Sequence, residues 1–522
     1  MGVKGKPEEE GISELLLGYL EDEVFGRLGQ SSLEAIKRRA LDPSGAEALK
    51  RWIVNSLLRE RDKVSRRTLR RADLEAAFSD RAFLTRISEV ALERLRCGPN
   101  APTLNIEPKR LSTEETQKIL GEGINFGLIF GAESIYFQDV VLAFQVDEFS
   151  SRPLRGGKVN VLGVHLDWLT EKGEAVRALL VDESWRVKEV GFEAAVPLHV
   201  VQTLHLPFSR ETDLHRRLSD TFRDAGIVQV NPYEASERAD DKAWTHELWL
   251  RCRLESPAFR LIPKSSLLKD ALKMLEAFIE DLSLRRKRSS LGVFIQPNSG
   301  TEGWMVERFK FDVYRGGIGV EHPAAKHIAA ILQLDDVLLR EERGNVRFSP
   351  LREPEETRDL KHISLRINVA WNGSRFVAES GYAQVSEKLV ASRGRGGEIV
   401  DLHKALRNLY YRSGGEWIRL NVTSKDVRRI KRAAEAAAQA LNSGLPEEDS
   451  LKMVGVDMVL EVPGVDEPIL PVLLEANPRP AGLNHSTSLE DEVDAEPKLM
   501  VSSAIFRAIR AMRRRLLHGE GP

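Results

Sequence analysis

The chain has 522 residues, of which 42% are hydrophobic and 30% charged, and its formal net charge at pH 7 is −2. This length exceeds one ordinary hydrophobic core and predicts roughly two to four subdomains. The composition is that of a globular protein, and the near-zero net charge excludes a strongly basic protein that would bind nucleic acid or a membrane surface through its overall charge.

The two cysteines, Cys97 and Cys252, show no Cys/His spacing typical of a zinc site. So few cysteines in a chain of this length favour a reducing compartment, although the sequence does not exclude one disulfide between them. The first ten residues lack the apolar core of a signal peptide, and no later run approaches the length of a membrane span. The expected location is therefore the cytoplasm.

Residues 1–100 are predicted to be mainly helical. Apolar residues recur there at helical spacing, at Ile12, Leu15, Leu16, Tyr19 and Leu20. The pattern ends at the Gly and Pro cluster of residues 97–102. No site is recognisable in this segment, which we interpret as an appendage for packing, for homodimerisation or for a partner.

Residues 101–230 change to apolar runs of strand length, partly covered by a helix at residues 214–225. An α/β or β-rich domain is expected. His165, Asp167 and Trp168 lie in one of the apolar runs. They either line a pocket or are buried polar residues whose hydrogen bonds are satisfied.

From residue 231 the sequence carries more distinctive features. Asp240-Asp241-Lys242 opens a helix with acidic groups at its positive end. A later strand passes through Gln296 into the loop Gly300-Thr301-Glu302-Gly303. The backbone N–H groups of such a loop can close over a phosphate, although an ordinary hairpin turn gives the same pattern.

Three further segments carry charge in a strand or loop context. An apolar strand ends in Glu341 and Glu342, and Arg366 lies within another strand. Arg393 and Arg395 alternate with glycine in a short loop. This loop is either an anion-binding segment or an RNA-contacting Arg-Gly segment.

The last of these features is a pair of strands that carries oxygen ligands. Asp457 interrupts an apolar strand, and Glu475 and Asn477 lie two apart at the end of the next. Alternate strand residues point to one face, so the three side chains can meet across a strand pair. Two carboxylates and an amide are ligands that a hard cation such as Mg²⁺ or Mn²⁺ prefers.

The order of these motifs over roughly residues 230–490 resembles that of the ATP-grasp enzymes, whose closing motif is similar to Leu474-Glu475-Ala476-Asn477-Pro478-Arg479-Pro480. The resemblance implies an α+β or α/β fold with a two-lobe nucleotide domain. It divides the chain into a helical segment at 1–100, a pre-ATP-grasp α/β domain at 101–230, the ATP-grasp domain at 231–500 and a C-terminal helix at 501–522.

The resemblance also implies roles for individual residues. Arg366 would meet the transferring phosphate, and Arg479 would clamp a substrate carboxylate or acylphosphate. Asp457, Glu475 and Asn477 would hold Mg²⁺. The residues implied in nucleotide binding are Lys242, Gln296, Gly300, Thr301, Glu302, Gly303, Glu341, Glu342, Arg393 and Arg395. Gln296 departs from the lysine that many family members have, so phosphate contact there lacks a positive charge.

The majority reaction of the family is ATP-dependent joining of a carboxylate to an amine through an acylphosphate. The expected partners are therefore ATP with Mg²⁺ or Mn²⁺ and two small molecules, a carboxylate and an amine. A small-molecule kinase on the same fold and a nucleotide-binding regulatory protein remain alternatives. The Gln296 departure and the long helical segment favour the regulator.

Overall fold

In a computed structural model of the protein, the described residues are 12, 15–25, 43–59, 61, 64, 71–97, 109–121, 123–130, 159–181, 187–204, 209–299, 305–312, 317–351, 359–389, 397–413, 415–464, 467–479, 486–489 and 502–517. The chain divides into two compact units. The first comprises Met1–Leu142, Arg152–Gln229 and Ala508–Pro522, and the second comprises Ala143–Ser151 and Val230–Arg507.

The first unit begins with helices, as predicted. They are a π-helical turn at Leu20–Phe25 and the α-helices Pro43–Arg59 (α1), Arg71–Ser79 (α2) and Arg81–Cys97 (α3). Leu16, Leu20, Ile53, Leu57 and Ile87 are fully buried in one apolar cluster. The periodic apolar positions therefore form the core of this helical segment.

The rest of the first unit is a seven-stranded sheet in the order β1-β5-β4-β3-β2-β6-β7. Its strands are Lys109–Leu111 (β1), Ile124–Phe130 (β2), Val159–His165 (β3), Ala175–Val181 (β4), Val187–Val196 (β5), Val200–Thr203 (β6) and Val228–Gln229 (β7). The accompanying helices are Thr113–Leu120 (α4) and Ser209–Asp224 (α5). The mixed α/β class is thus confirmed.

The polar residues that the sequence marked in this sheet pack in an aromatic group. The rings of His165 and Trp168 lie 5.5 and 5.8 Å from that of Phe130, and 5.6 Å from each other. Arg177 lies over the Trp168 ring at 5.1 Å. The side chain of Asp167 lies outside the described part of the structure.

The second unit contains a four-stranded antiparallel sheet in the order β10-β9-β11-β8. Its strands are Phe259–Ile262 (β8), Ser290–Pro297 (β9), Glu307–Asp312 (β10) and Val337–Glu341 (β11). The helices Leu268–Arg286 (α8) and Pro323–Leu332 (α9) share a buried cluster with Val293, Ile295 and Leu339. Because strand residues alternate, the opposite face carries Phe294, Gln296, Leu338 and Arg340.

The second unit also contains a nine-stranded sheet whose path is β15-β14-β13-β12-β16-β17. The strand β18 adds to β13, β19 adds to β18, and β20 adds to β14. Its strands are Val346–Phe348 (β12), Lys361–Trp371 (β13), Phe376–Ser386 (β14), Glu398–Asp401 (β15), Leu409–Ser413 (β16), Glu416–Arg419 (β17), Met453–Glu461 (β18), Leu470–Asn477 (β19) and Thr487–Ser488 (β20). Its helices are Tyr233–Asp240 (α6), Lys242–Arg251 (α7), Leu402–Leu406 (α10) and Ser424–Leu441 (α11), and Ser503–Leu517 (α12) ends the described chain.

One face of this larger sheet is covered by α11. Thr423 caps the helix and forms a capping box with Asp426. Val427, Ile430 and Leu441 are buried against the sheet's apolar face. The other face is therefore left to carry polar side chains.

The two sheets of the second unit are connected by a short segment fixed to the end of β18. Arg343 donates two hydrogen bonds to Glu461, at 2.8 and 2.7 Å, and Gly344 N donates to the same carboxylate at 2.7 Å. Asn345 exchanges two hydrogen bonds with the backbone of Val462. The position of the smaller sheet relative to β18 is thereby constrained.

Gly344 gives a first test of this connection. Its φ is +96°, and a Cβ there would lie 2.9 Å from Val459 Cβ, whereas Gly415 has a φ of +94° and open space around its Cβ position. Both alanine substitutions carry a similar free-energy cost from the positive φ. The difference between their losses of stability therefore measures the crowding against Val459. We expect Gly344→Ala to lower the free energy of unfolding by about 1–3 kcal/mol more than Gly415→Ala, measured by chemical denaturation. Equal losses would contradict the crowding at Val459.

Candidate functional site

The polar face of the larger sheet is organised in two rows that cross β14, β13, β18 and β19. The first, the carboxylate row, contains Tyr382, Arg366, Asp457 and Glu475. The second, the amide row, contains Ser380, Asn368, Gly455 and Asn477. Successive rows on one face are about 7 Å apart along a strand. The strand register therefore brings Arg366, Asp457, Glu475 and Asn477 together.

The carboxylate row is centred on a bidentate ion pair. Arg366 donates from Nε to Asp457 Oδ1 and from Nη2 to Asp457 Oδ2, each at 2.6 Å. The same Nη2 lies 4.0 Å from Glu475 Oε1, and Asn477 Nδ2 donates to Asp457 Oδ2 at 3.3 Å. The Asp457 side chain is 9% exposed and that of Glu475 is 32% exposed. Glu475 is thus the more accessible carboxylate.

The two carboxylates titrate differently. Burial raises the pKa of Asp457 to about 6, with a further contribution from Glu475, although Arg366 acts to lower it. Burial also acts to raise the pKa of Glu475, but Lys242, Arg366 and Arg340 outweigh it, so that pKa is lowered. Neighbouring carboxylates with separated pKa values indicate a site where charge repulsion is only partly relieved.

This arrangement fits a hard divalent cation. Two close carboxylates and an amide supply oxygen ligands, and Asp457 Oδ1 keeps a lone pair beyond its bond to Arg366. A cation would also stabilise the ionised form of Asp457, whose pKa is raised mainly by burial and also by Glu475. Within the described residues no group of three or more His, Cys, Asp and Glu side chains is placed to hold a metal.

The pKa of Asp457 predicts how cation binding depends on pH. We expect affinity for Mn²⁺, used as a probe, to fall as pH decreases through about 6, since protonated Asp457 is a poorer ligand. Glu475, whose pKa is lowered, stays ionised over this range. Calorimetric titration at several pH values measures the effect. Affinity that does not change with pH between about 7.5 and 5.5 would remove Asp457 from the ligand set.

A β-bulge places one more cation beside these acids. Asp457 pairs with Glu475 but Met458 pairs with Leu473, so Leu474 is the extra residue on β19. Arg340 on β11 donates from Nη1 to the Leu474 carbonyl at 3.0 Å. Burial lowers the pKa of Arg340, although Glu475 and Asp457 act in the opposite direction. Arg340 was not predicted as a site residue.

Helix α7 brings Lys242 and His246 to the same region. Asp241 caps the helix, and Lys242 is its first residue, as predicted. Lys242 Nζ donates to the Asn298 carbonyl at 3.3 Å and also interacts electrostatically with Glu475. His246 is fully buried, and burial with Arg340 and Lys242 holds its pKa well below the usual value. Its imidazole is therefore neutral.

Gln296 occupies the face of the smaller sheet that carries Arg340. It pairs with Leu338 on β11, one alternation from the Phe294–Arg340 pair. Gln296 is 2% exposed, and its Nε2 has no hydrogen-bond partner within the described ranges of the chain. A buried donor without a partner is costly, which makes this position a candidate for ligand contact.

The two acids at the end of β11 are already paired. Arg286 donates to both oxygens of Glu341, at 2.5 and 2.9 Å. Arg308 donates twice to Glu342 Oε2, at 3.0 and 2.7 Å. Their carboxylates are thus engaged with arginines, and their role in nucleotide binding remains a prediction.

Arg479 lies at the end of the described part of its loop. Its Nη2 pairs with Asp240 at the end of α6, while Nε and Nη1 are buried and have no partner in the described part of the chain. Burial raises the pKa of Asp240, although Arg479 and Lys242 act to lower it. Arg479 therefore keeps donors for another group. Gly300, Thr301, Glu302, Gly303, Arg393 and Arg395 lie outside the described residues.

Sequence reasoning missed Arg340, His246 and Asn368. The signal for Arg340 was available, because Val337-Leu338-Leu339-Arg340-Glu341 places a cation among apolar strand residues. His246 and Asn368 carried no such signal, since their partners Ser256, Ser380 and Ser486 are brought near by folding.

The sequence matches no family model and no curated protein. Solved structures align with most of the chain. The D-Ala:D-Ser ligase VanG from Enterococcus faecalis has a TM-score of 0.43 at 14% identity, covering 75% of this chain and 100% of its own. The D-alanine-D-alanine ligase from Coxiella burnetii has a TM-score of 0.44 at 11% identity, covering 77% of this chain and 97% of its own. D-alanyl-alanine synthetase A from Vibrio cholerae O1 has a TM-score of 0.43 at 13% identity, covering 75% and 99%.

These matched enzymes are ATP-grasp ligases, the family that the sequence motifs resemble. At such identities and TM-scores the likeness is one of chain path, and activity has to be argued from this chain's own side chains.

In the described part of the chain, no helix is both long enough and apolar enough to cross a membrane.

Proposed function

We propose that the protein is an ATP-dependent ligase that joins a small-molecule carboxylate to an amine. The observation that carries the proposal is the carboxylate row: Asp457 and Glu475 lie next to each other, held by Arg366 and approached by Arg340 and Lys242. Carboxylates that can hold a cation, beside several fixed cations, suit transfer of a phosphoryl group.

A nucleotide base is best accommodated on the face of the smaller sheet that carries Gln296 and Arg340. Phe259 and Phe294 lie on that face, are half-buried and supply aromatic surface. Gln296 adds its unpartnered Nε2 donor, and the buried Lys242 approaches Glu475 from α7. A planar base on this surface would extend its phosphates toward the carboxylate row.

The charges around the row are suited to a polyphosphate. Lys242, Arg340 and Arg366 are the cations, and Asp457 and Glu475 are the acids. When bound, Mg²⁺ with ATP would supply the phosphoryl group and neutralise part of its charge. Arg366 and Lys242 would then stabilise the charge that develops on the transferring oxygens, since they are fixed before the reaction.

Arg340 can supply the positive charge that Gln296 lacks. Where a lysine is expected, this chain has a neutral donor. Arg340 lies on the same face, one alternation further along β11, and is buried beside the acids. Lys310, in contrast, is exposed on β10. We therefore assign the compensating positive charge to Arg340.

In the proposed reaction a substrate carboxylate attacks the γ-phosphorus of ATP and ADP leaves. The resulting acylphosphate is then attacked by the amine, and phosphate leaves. Arg479, whose Nε and Nη1 have no partner within the described residues, would donate hydrogen bonds to the carboxylate or the acylphosphate. The protein's part is positioning and electrostatic stabilisation, and none of the described residues has to act as a general base.

Release of ADP and phosphate tests the proposal. Mg-ATP is incubated with pooled carboxylates and amines, and active pools are analysed by mass spectrometry. Equal amounts of ADP and phosphate together with a condensed product are expected. ADP with a phosphorylated metabolite would instead establish a kinase, and ATP binding without turnover in any pool would favour a regulatory protein.

A further inference from the structure

The amide row contains a buried amide that is only half satisfied. Asn368 is 5% exposed, and its Nδ2 donates to Ser380 Oγ at 3.2 Å and to Ser486 Oγ at 2.7 Å. Its Oδ1 is buried and has no hydrogen-bond partner among the residues that the structure describes. Because an unpaired buried polar atom costs free energy, such an atom next to a site calls for an explanation.

The residues around Asn368 restrict the kind of group that could donate a hydrogen bond to its Oδ1. The strand neighbours of Asn368 are Ser380 on one side and Gly455, which has no side chain, on the other. Asn477 follows beyond Gly455. The amide row is thus polar, uncharged and free of bulk at its centre.

The amide row adjoins the place where the activated carboxylate would form. Asn368 follows Arg366 by two residues on β13, so both side chains lie on the same face, about 7 Å apart along the strand. Arg366 is held against Asp457. A group bound at Asn368 is therefore next to the phosphoryl-transfer site.

We propose that Asn368 binds the nucleophile of the ligase as a neutral amine, with Oδ1 accepting one amine N–H. This inference rests on the proposed ligase function. A neutral amine donates to Oδ1 and keeps its lone pair for attack, whereas an ammonium ion has no lone pair and meets no carboxylate in this row. Asn368 is thus a residue that determines nucleophile specificity.

The step balances with the groups already named. The amine nitrogen attacks the carbonyl carbon of the acylphosphate, and a C–N bond forms. The C–O bond to phosphate breaks, and its electron pair leaves with phosphate. One amine proton passes to the departing phosphate, so the products are an amide and hydrogen phosphate.

Hydroxylamine is the probe for this site, because it is small and uncharged at neutral pH. Wild-type protein is first tested with Mg-ATP, a panel of carboxylates and hydroxylamine, and the acyl hydroxamate is measured by its ferric complex. With the active carboxylate we expect Asn368→Leu to raise the KM for hydroxylamine about tenfold or more, as loss of one hydrogen bond to a buried group predicts. The KM values for ATP and the carboxylate should stay within about twofold.

A second variant tests the effect of a negative charge at position 368, and its result does not require that Asn368→Leu folds. Asn368→Asp keeps the shape and places a carboxylate in the row. Its carboxylate would bind methylamine, which is protonated at neutral pH, and accept a proton from that ammonium before the nitrogen attacks. The preference should therefore shift from hydroxylamine toward methylamine, and the pH profile for methylamine should move to lower pH. A purely structural role of Asn368 would move neither quantity.

Asn442→Leu is the matched control. Its amide is fully paired with the Leu451 backbone, through bonds of 3.0 and 2.9 Å, at the end of α11. It should lower the thermal midpoint without changing the KM for hydroxylamine. An unchanged KM in Asn368→Leu, with hydroxamate still formed, would overturn the inference and leave the ligase. No hydroxamate from the wild type with any carboxylate would overturn the ligase and the inference with it.

Discussion

Glu475→Gln is expected to lower nucleotide turnover by about a hundredfold to a thousandfold while the protein stays folded. The substitution keeps the shape but removes the more accessible charge of the carboxylate row. Loss of a metal ligand removes several kcal/mol of transition-state stabilisation, and about 1.4 kcal/mol corresponds to a tenfold change in rate. The measurement is ADP formation under saturating ATP.

The control for Glu475→Gln is Glu416→Gln, which neutralises an exposed acid on β17. It should leave turnover unchanged. Thermal denaturation of Glu416→Gln should match the wild type, whereas Glu475→Gln should stay folded with a lower midpoint, because it loses the attraction of Lys242, Arg366 and Arg340. Normal turnover in Glu475→Gln would refute the assignment of Glu475 to the cation site.

Arg366→Met is expected to destabilise the protein by about 3–5 kcal/mol at neutral pH, because Asp457 is left as a buried charge without its partner. Chemical denaturation measures the loss. The double variant Arg366→Met, Asp457→Asn should recover most of it, since no buried charge then lacks a partner. A double variant no more stable than Arg366→Met would contradict the explanation.

The loss in Arg366→Met should shrink as the pH is lowered. The pKa of Asp457, about 6, exceeds its ordinary 3.8, so its protonation favours the folded state, and that contribution is lost as pH rises through about 6. Without Arg366 this pKa rises further. Glu475 acts oppositely, because its pKa is lowered from 4.5, and its contribution is lost as pH falls through the folded value. Recovery is thus expected between about pH 7 and pH 5.

Alternation and capping patterns predicted those parts of the site that lie on regular elements. The pairing of Asp457 with Glu475, and the shared face of Glu475 and Asn477, follow from strand geometry once two apolar runs are recognised. The start of α7 at Lys242 follows from the Asp241 cap. These predictions depend only on neighbours in sequence or on one strand pair.

Features that depend on distant partners were not predictable. Glu341 is held by Arg286, which is 55 residues away in sequence, and Arg340 reaches Leu474 across 134 residues. The bulge that presents the Leu474 carbonyl has no glycine to mark it. Asn368 was not predictable either, because it was singled out by its Oδ1, which has no hydrogen-bond partner within the described residues. Periodicity carries no information on such contacts.

The central claim is that a substrate carboxylate is activated by phosphoryl transfer at the carboxylate row. Transfer of ¹⁸O tests it most directly. The active carboxylate, labelled in its carboxyl oxygens, is converted with Mg-ATP and the amine, and the released phosphate is examined by mass spectrometry. One ¹⁸O atom per phosphate is predicted, because the acyl C–O bond breaks in the second step. Unlabelled phosphate, or label in AMP, would contradict the claim.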